Sequence, residues 1–203
     1  MYDDEFELTF DLSDEDKASR APEPEQEPVQ EAAPEPAAET EPPVEPVPEP
    51  AVPAANGRCV LISGGDRGIG AAAARAFWQA GYRVAVLYHT HAEEAAALEK
   101  ALPGLLAVQC DVASRASCEV AFHTVEQAVG HVDVLVSNAG IAQQKLFTDI
   151  TPEEWQHMLD VNLSGAFHLC QLALPGMIRR KAGRILTVSS MWGQTGGSCE
   201  VHY

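Results

Sequence analysis

The stretch Ser63-Gly64-Gly65-Asp66-Arg67-Gly68-Ile69-Gly70 decides the fold of this chain. It joins the apolar run Cys59 to Ser63 to an alanine-rich segment, Ile69 to Ala80, whose composition predicts a helix. Glycine in such a turn lets a ligand approach the backbone, because no Cβ stands in the way. The first N–H groups of the helix lack intrahelical partners, and the helix dipole makes this end positive. The turn therefore predicts a phosphate-binding site at the start of the helix.

The pattern around this turn predicts an α/β protein. From Arg58 onward, short apolar runs alternate with longer helical stretches, as in a parallel sheet covered by helices on both faces. We expect a doubly wound parallel sheet of the Rossmann type, which commonly has six strands, truncated here after the fifth. The predicted strands are Cys59 to Ser63, Val84 to Tyr88, Leu105 to Cys110, Val132 to Ser137 and Ile185 to Ser189. The predicted helices are Ile69 to Ala80, Ala92 to Ala101, Ser114 to Val129 and a long stretch from Thr151 to about Arg180.

The long helical stretch carries a start signal and an expected interruption. Thr151, Pro152 and Glu154 supply an N-cap hydroxyl, a proline in the first turn and a glutamate three residues after the cap. Pro175 lies deep inside the same stretch, where it lacks the N–H for a helical hydrogen bond and clashes with the preceding turn. We therefore expect the helix to kink or break near Leu174.

Charge separates residues 1–57 from the rest of the chain. They contain 17 of the 30 acidic residues but only Lys17 and Arg20 of the 13 basic ones, and the part from Ala21 to Pro53 is almost wholly Pro, Glu, Ala, Val and Gln. This composition predicts a disordered acidic tail before a folded domain at 58–203. The alternatives are a linker to an upstream module, or a segment whose alternating residues from Tyr2 to Leu12 dock on a partner. Neither a basic surface nor a long apolar run is present, so we expect no nucleic-acid or membrane partner and a cytoplasmic location.

The cysteine and histidine patterns favour neither disulfides nor a metal site. The five cysteines contain no C-x-x-C pair, which predicts reduced thiols that act as small buried apolar residues. His89-Thr90-His91 offers two possible ligands without a third, so no metal is predicted.

Two hydroxyl residues late in the sequence carry a family resemblance. Tyr203 lies thirteen residues after Ser190, and the glycine turn has the spacing G-x-x-x-G-x-G starting at Gly64. Together these motifs resemble the short-chain dehydrogenase/reductase family, whose turn is T-G-x-x-x-G-I-G, with Ser63 in place of the threonine. The resemblance covers residues 58–203 and implies that they form a dinucleotide-binding domain.

The resemblance implies roles for three catalytic residues. Tyr203 protonates the carbonyl oxygen of the substrate, Ser190 polarises it, and Asn162 holds a water of the proton relay through a local distortion of its helix. The catalytic lysine of the family lies four residues beyond the tyrosine. We therefore expect this sequence to be C-terminally truncated and the 203-residue polypeptide itself to be inactive.

The implied cofactor is a nicotinamide dinucleotide, and the residues favour NADP(H). NAD-specific domains place an acid about twenty residues past the turn to bind the ribose 2′-hydroxyl, but Tyr88-His89-Thr90-His91 contains none. Arg67 in the turn suits the extra phosphate of NADP(H). By resemblance, Asp111-Val112 contacts the adenine, and Ser137-Asn138-Ala139-Gly140 corresponds to the family's N-N-A-G motif. The predicted cofactor-binding residues are Ser63, Gly64, Arg67, Gly68, Ile69, Gly70, Tyr88, Asp111, Val112, Asn138, Ala139 and Gly140.

The expected function is NADP(H)-dependent reduction of a small-molecule or carrier-bound carbonyl. Within the family the sequence is most similar to 3-oxoacyl-[acyl-carrier-protein] reductases, which implies a role in fatty acid biosynthesis. The run Met191 to Val201 is also similar to a bacterial reductase of the 5-aminopentanone group on elongation factor P. An alternative of another class is a catalytically silent NADP-binding interaction protein. The resemblance further implies that the full-length form is a homo-oligomer, a tetramer formed through the long helix and the helix that would follow Tyr203.

Overall fold

A computed structural model describes residues 53–203 of the chain. The predictions for residues 1–52, including most of the acidic tail, lie outside the described residues. The strands are β1 Cys59–Ser63, β2 Arg83–Tyr88, β3 Leu106–Gln109, β4 Val134–Ser137 and β5 Arg184–Thr187. The α-helices are α1 Gly68–Gln79, α2 Ala92–Ala101, α3 Arg115–Val129, α4 Pro152–Leu159, α5 Gly165–Arg180 and α6 Trp192–Thr195. A 3-10 turn covers Phe147–Asp149, and a π-helical segment, Asp160–Ser164, joins α4 to α5.

The strands form one parallel sheet in the order β3-β2-β1-β4-β5, which confirms the doubly wound fold. Leu61 in the centre of β1 pairs with Ala85 of β2 on one side and with Leu135 of β4 on the other. The chain leaves the sheet after β3 and returns on the opposite side of β1. This reversal separates the loops after β1 and β4 and creates a crevice at the carboxyl ends of the strands.

The core lies on both faces of the sheet, because every residue of β1 is buried and alternate residues point to opposite faces. Ile62 belongs to a cluster with Trp78 of α1, whereas Leu61 belongs to a second cluster with Phe122 of α3 and Leu169 of α5. Full burial of a side chain of this size contributes about 1.5–3 kcal/mol. Packing on both faces therefore fixes the strand ends that carry the glycine turn.

The start of α4 agrees with its sequence signals. The Thr151 hydroxyl accepts a hydrogen bond from the Glu154 N–H at 3.2 Å, and the Glu154 carboxylate accepts one from the Thr151 N–H at 2.8 Å. This reciprocal pair satisfies two donors that the helix start would otherwise leave free.

Of the kink or break predicted near Leu174, the break is wrong, because α5 continues as one helix through Pro175 to its end. Pro175 lies on the exposed side of the helix, where water can bond the carbonyl that lacks its N–H partner. Ala173 and Met177 on the other side are buried in the core and hold the helix on the sheet. The interruption occurs earlier, in the π-helical segment Asp160–Ser164.

The last strand of the described sheet is exposed. Leu186 of β5 is 48% exposed and Val188 just beyond it is 40% exposed. Within residues 53–203, no helix combines the length and the apolar character needed to cross a membrane.

Candidate active site

The glycines of the turn serve different purposes. Gly64 and Gly68 have φ values of +60° and +54°, which favour glycine. A Cβ on Gly70 would collide with the Gly64 carbonyl and lie 2.7 Å from Nδ2 of Asn138, so this glycine permits close packing of α1 on β1. A Cβ on Gly68 would meet nothing within 4 Å. Gly68 therefore borders open space at the start of the helix.

Ser63 and Asn138 lock the turn to the end of β4. The Ser63 hydroxyl accepts hydrogen bonds from the N–H groups of Asn138 and Ala139, both at 3.0 Å. The Asn138 amide in turn donates to the carbonyls of Ser63 and Gly64 at 3.0 and 2.9 Å. Ser63 is 1% exposed, so its hydroxyl is committed to this lock. Ser63 and Gly70 therefore position the turn without themselves lining the surface that a cofactor would touch.

A cleft of about 380 Å³ opens at the carboxyl ends of the first four strands. It brings together all the predicted cofactor-binding residues except Ser63 and Gly70. The predicted residues in its walls are Gly64, Arg67, Gly68, Ile69, Tyr88, Asp111, Val112, Asn138, Ala139 and Gly140.

The start of α1 fits a dinucleotide phosphate. Arg67 is the N-cap residue, no side chain caps the helix, and its first turn contains no acid. The N–H groups of the first turn are therefore available to a ligand, and the helix dipole favours an anion there. The exposed guanidinium of Arg67 adds a cation to the same wall, and the open space at Gly68 leaves the approach clear. These features match the requirements of a pyrophosphate group.

The turn after β3 holds Asp111 rigidly at the cleft. Its carboxylate accepts a hydrogen bond from the Ala113 N–H at 3.0 Å, and its own N–H donates to the Ser117 hydroxyl at 3.0 Å. Ser114 caps α3 by accepting from the Ser117 N–H. The predicted adenine wall is thus held by the start of α3.

Two cysteines are paired beside this wall. The Sγ atoms of Cys110 and Cys118 are 4.0 Å apart, and both side chains are buried. The hydrogen bond between the two thiols, assisted by one that the Ser117 hydroxyl donates, lowers the pKa of the Cys110 thiol, whereas the same thiol–thiol bond and burial raise the pKa of Cys118. Cys199, in contrast, is exposed, so the prediction of buried thiols is wrong for this residue. It lies in an irregular segment after α6, where no sheet or helix covers it.

Sequence reasoning missed an acid in the cleft. Asp66 is 8% exposed, lines the cleft, and places Oδ2 3.7 Å from Nδ1 of His91, which follows β2. The segment after β2 itself contains no acid, as the sequence indicated, but the glycine turn brings one to it. The sequence does not specify in which direction a side chain of such a turn points. His157 and Val161 also line the cleft and were not predicted.

Asn162 lies in the π-helical segment and pins the loop after β4. Its Oδ1 accepts from the Ile141 N–H at 2.8 Å, and its Nδ2 donates to the Ile141 carbonyl at 2.9 Å. Nδ2 also lies 3.1 Å from Sδ of Met158. A Cβ on Gly140 would lie 3.3 Å from Oδ1 of Asn162, so a side chain there would crowd the contact. Both polar atoms of Asn162 are therefore committed to the backbone of this loop.

Ser190 and Tyr203 lie outside the walls of the cleft. Ser190 follows β5 at the carboxyl edge of the sheet, where the Val188 N–H donates to the Ser137 carbonyl at 2.9 Å. Its hydroxyl accepts from the Trp192 N–H at 3.3 Å. Tyr203 is 44% exposed, and its N–H donates to the Glu200 carbonyl at 3.1 Å. The cofactor residues are thus brought together, whereas neither hydroxyl residue belongs to the walls of the cleft.

The segment that carries Tyr203 is attached to the loop after β4. Nε2 of His202 lies 2.9 Å from Oε1 of Gln143, and the Lys145 N–H donates to the Cys199 carbonyl at 2.7 Å. Glu154 secures the loop from α4, because it accepts from the Lys145 ammonium and from the Gln143 amide. The hydrogen bond from Lys145, followed by those from Thr151 and Gln143, lowers the pKa of Glu154 to about 2.

Comparisons with known proteins show which reductases and which fold this chain is similar to. An acetoacetyl-CoA reductase of Rhizobium meliloti is 40% identical over 146 residues, which cover 72% of this chain and 60% of the relative. The 3-oxoacyl-[acyl-carrier-protein] reductase MabA of Mycobacterium tuberculosis is 37% identical over 153 residues, 75% of this chain and 59% of the relative. The crystal structure of gox2181 superimposes with a TM-score of 0.65 at 32% identity, covering 68% of this chain and 55% of that one.

The chain therefore spans about 60% of the length of the curated relatives that it matches. The sequence model of the family described as short chain dehydrogenase matches residues 58–203, the whole of the part that holds the cleft. This chain belongs to the short-chain dehydrogenase family.

Proposed function

We propose that the chain forms the cofactor-binding part of an NADP(H)-dependent carbonyl reductase. The observation that carries the proposal is the cleft at the start of α1, with free N–H groups, the Arg67 guanidinium and the open space at Gly68. The turn would hold the pyrophosphate, Asp111 and Val112 would hold the adenine, and Arg67 would hold the 2′-phosphate. When bound, such a cofactor supplies or accepts a hydride.

The residues of the chain supply the proton and the polarising hydrogen bond in this proposal. As a carbonyl is reduced, its oxygen gains negative charge and needs a hydrogen-bond donor and a proton source. The Tyr203 phenol gives the proton and the Ser190 hydroxyl donates the hydrogen bond. Asn162 acts through the loop after β4, which its side chain holds in place. The attachments of their segments support these roles, because Val188, two residues before Ser190, bonds the end of β4, and His202, next to Tyr203, bonds Gln143 in the loop after β4.

The substrate in this proposal is a 3-oxoacyl thioester. Two relatives of 37–40% identity are an acetoacetyl-CoA reductase and a 3-oxoacyl-[acyl-carrier-protein] reductase, and both names denote reduction of a ketone in an acyl thioester. A cytoplasmic location and a role in fatty acid synthesis are parts of the same proposal.

The test uses the product of the gene that encodes this chain, with acetoacetyl-CoA and NADPH, and follows absorbance at 340 nm. We expect turnover, and we expect Tyr203→Phe to lower kcat by about 100-fold or more, the usual contribution of a general acid. Tyr82→Phe is the matched control, since this ring packs edge to face on Phe77 away from the cleft. Full activity of Tyr203→Phe would refute the catalytic assignment. Tight NADPH binding without turnover would favour a silent NADP-binding protein instead.

We also propose a homotetramer formed through α5. Four large apolar side chains at helical spacing on the π-helical segment and α5 are exposed by 41–68%: Leu163, Phe167, Leu174 and Ile178. An exposed apolar stripe of this kind is typical of a helix that pairs with another helix. Light scattering behind size exclusion measures the oligomer directly, and Phe167→Ser is expected to dissociate it.

A further inference from the structure

Asp66 occupies the corner of the cleft where the sequence shows no acid. It belongs to the glycine turn, yet its carboxylate lies beside His91, in the segment that follows β2. In dinucleotide-binding folds this corner receives the ribose of the adenosine, and an acid there accepts hydrogen bonds from the ribose hydroxyls. The glycine turn thus supplies the carboxylate that the segment after β2 lacks.

The Asp66 carboxylate has unused capacity to accept hydrogen bonds. Within the described residues its ion-pair partner is His91 at 3.7 Å, a separation longer than a hydrogen bond. His91 Nδ1 also lies 3.2 Å from the Thr90 hydroxyl, so the same nitrogen contacts both Thr90 and Asp66. Asp66 is 8% exposed, and it belongs to the wall of the open cleft. A hydroxyl donor that enters the cleft can therefore reach its carboxylate.

The ribose hydroxyl and the ribose phosphate interact oppositely with such a group. A 2′-hydroxyl donates a hydrogen bond to a carboxylate, whereas a 2′-phosphate offers no proton and carries negative charge. Arg67, the next residue, has the reverse preference because a guanidinium binds phosphate. Of the other ionisable side chains in the cleft, His89 follows β2, His157 belongs to α4, and Asp111 is already bonded to the Ala113 N–H.

We propose that Asp66 binds the adenosine ribose and sets the preference between NAD(H) and NADP(H), in opposition to Arg67. This inference rests on the proposed function, because it requires a nicotinamide dinucleotide in the cleft. It corrects the simple expectation of an NADP(H)-specific site: the carboxylate gives NAD(H) a hydrogen-bond acceptor and lowers the advantage that the 2′-phosphate gains from Arg67.

The test compares dissociation constants for NADPH and NADH, measured by the fluorescence of the reduced cofactor on the purified 203-residue chain at fixed pH and ionic strength. In Asp66→Asn the negative charge is lost with little change of shape. We expect the ratio Kd(NADH)/Kd(NADPH) to rise about tenfold, since removal of a like charge within several ångströms of the phosphate has this order of effect. Asp66→Ser, which removes the charge with a smaller side chain, is expected to act in the same direction.

Asp149→Asn is the matched control, because it removes one negative charge from an exposed residue outside the cleft wall. Its ratio is expected to equal that of the wild type. If Asp66→Asn and Asp66→Ser both keep the wild-type ratio within twofold while both cofactors bind, the role of Asp66 is refuted and the proposed function stands. If the wild-type chain binds neither cofactor, the proposed function fails and this inference fails with it. Circular dichroism of each variant establishes that it is folded.

Discussion

Asn162→Ala tests how far the loop after β4 depends on one side chain. The asparagine exchanges two hydrogen bonds with the backbone of Ile141, at 2.8 and 2.9 Å, from a helical segment that is distorted at this point. Alanine favours regular helix and makes neither bond. We therefore expect the variant to lose loop order and stability together.

The magnitude follows from these two bonds. A typical hydrogen bond contributes about 1 kcal/mol net, and a group left without a partner costs about 1–3 kcal/mol. Both groups of Ile141 are half-buried, so water replaces the lost partners only in part. The loss of stability should be about 2–3 kcal/mol. For a domain of this size it lowers Tm by roughly 4–12 °C.

Urea unfolding followed by circular dichroism measures this loss. Asn56→Ala is the matched control, because the Asn56 side chain also makes two hydrogen bonds with backbone at 2.9 Å, to Ala80 and from Arg58, but in an exposed position. Its loss should stay below about 1 kcal/mol. Neutral surface substitutions change stability by up to roughly 0.5 kcal/mol. A stability of Asn162→Ala within about that range of the wild type would refute the argument. Equal losses of stability in the two variants would also refute it.

Two further variants test the turn and the loop. Gly70→Ala should cost about 2–3 kcal/mol in urea unfolding, because its Cβ meets the carbonyl of Gly64, which follows the buried strand β1 directly. Wild-type stability would show that α1 can shift freely. Glu154→Gln should destabilise the chain at pH 7. Since Lys145 lowers the pKa of Glu154 from 4.5 to about 2, the charged form stabilises the fold above pH 4.5, and that contribution is lost as the pH falls toward 2. Urea midpoints of the two proteins should therefore converge below pH 4.5, and a constant gap would contradict the assignment.

The elements near the glycine turn follow closely from the sequence. Cys59–Ser63 and Ala92–Ala101 have the predicted bounds, because buried apolar runs and an alanine-rich segment leave little choice. The long helix is the instructive failure. Pro175 is a local signal for a break, but burial of Ala173 and Met177 outweighs it. The distortion occurs at Asn162, where the family resemblance implied one although no helix-breaking residue marks it.

In the cleft, too, some residues could be predicted from the sequence and others could not. Residues that act through the backbone, such as Gly64 and Gly68, are recognisable because their spacing determines their role. Residues that act through side-chain direction are harder to place. Ser63 has a hydroxyl that suggests contact with a ligand, yet it bonds two N–H groups behind the turn. Asp66 lies in the turn before α1, whereas a ribose acid is expected after β2, and only the fold brings it to His91.

The loop after β4 connects the cofactor cleft to the segment that carries Tyr203. Asn138 fixes its first residues to the glycine turn, and Asn162 fixes the next ones to the helix. Gln143 and Lys145, further along, bond the segment that ends at Tyr203. The contacts of Asn138 and Asn162 hold the wall of the cofactor cleft. The contacts of Gln143 and Lys145 hold only the segment that ends at Tyr203. Loss of the Glu154 carboxylate should therefore displace Tyr203 and leave cofactor affinity unchanged, because the contacts that shape the cleft lie upstream of the residues that Glu154 holds.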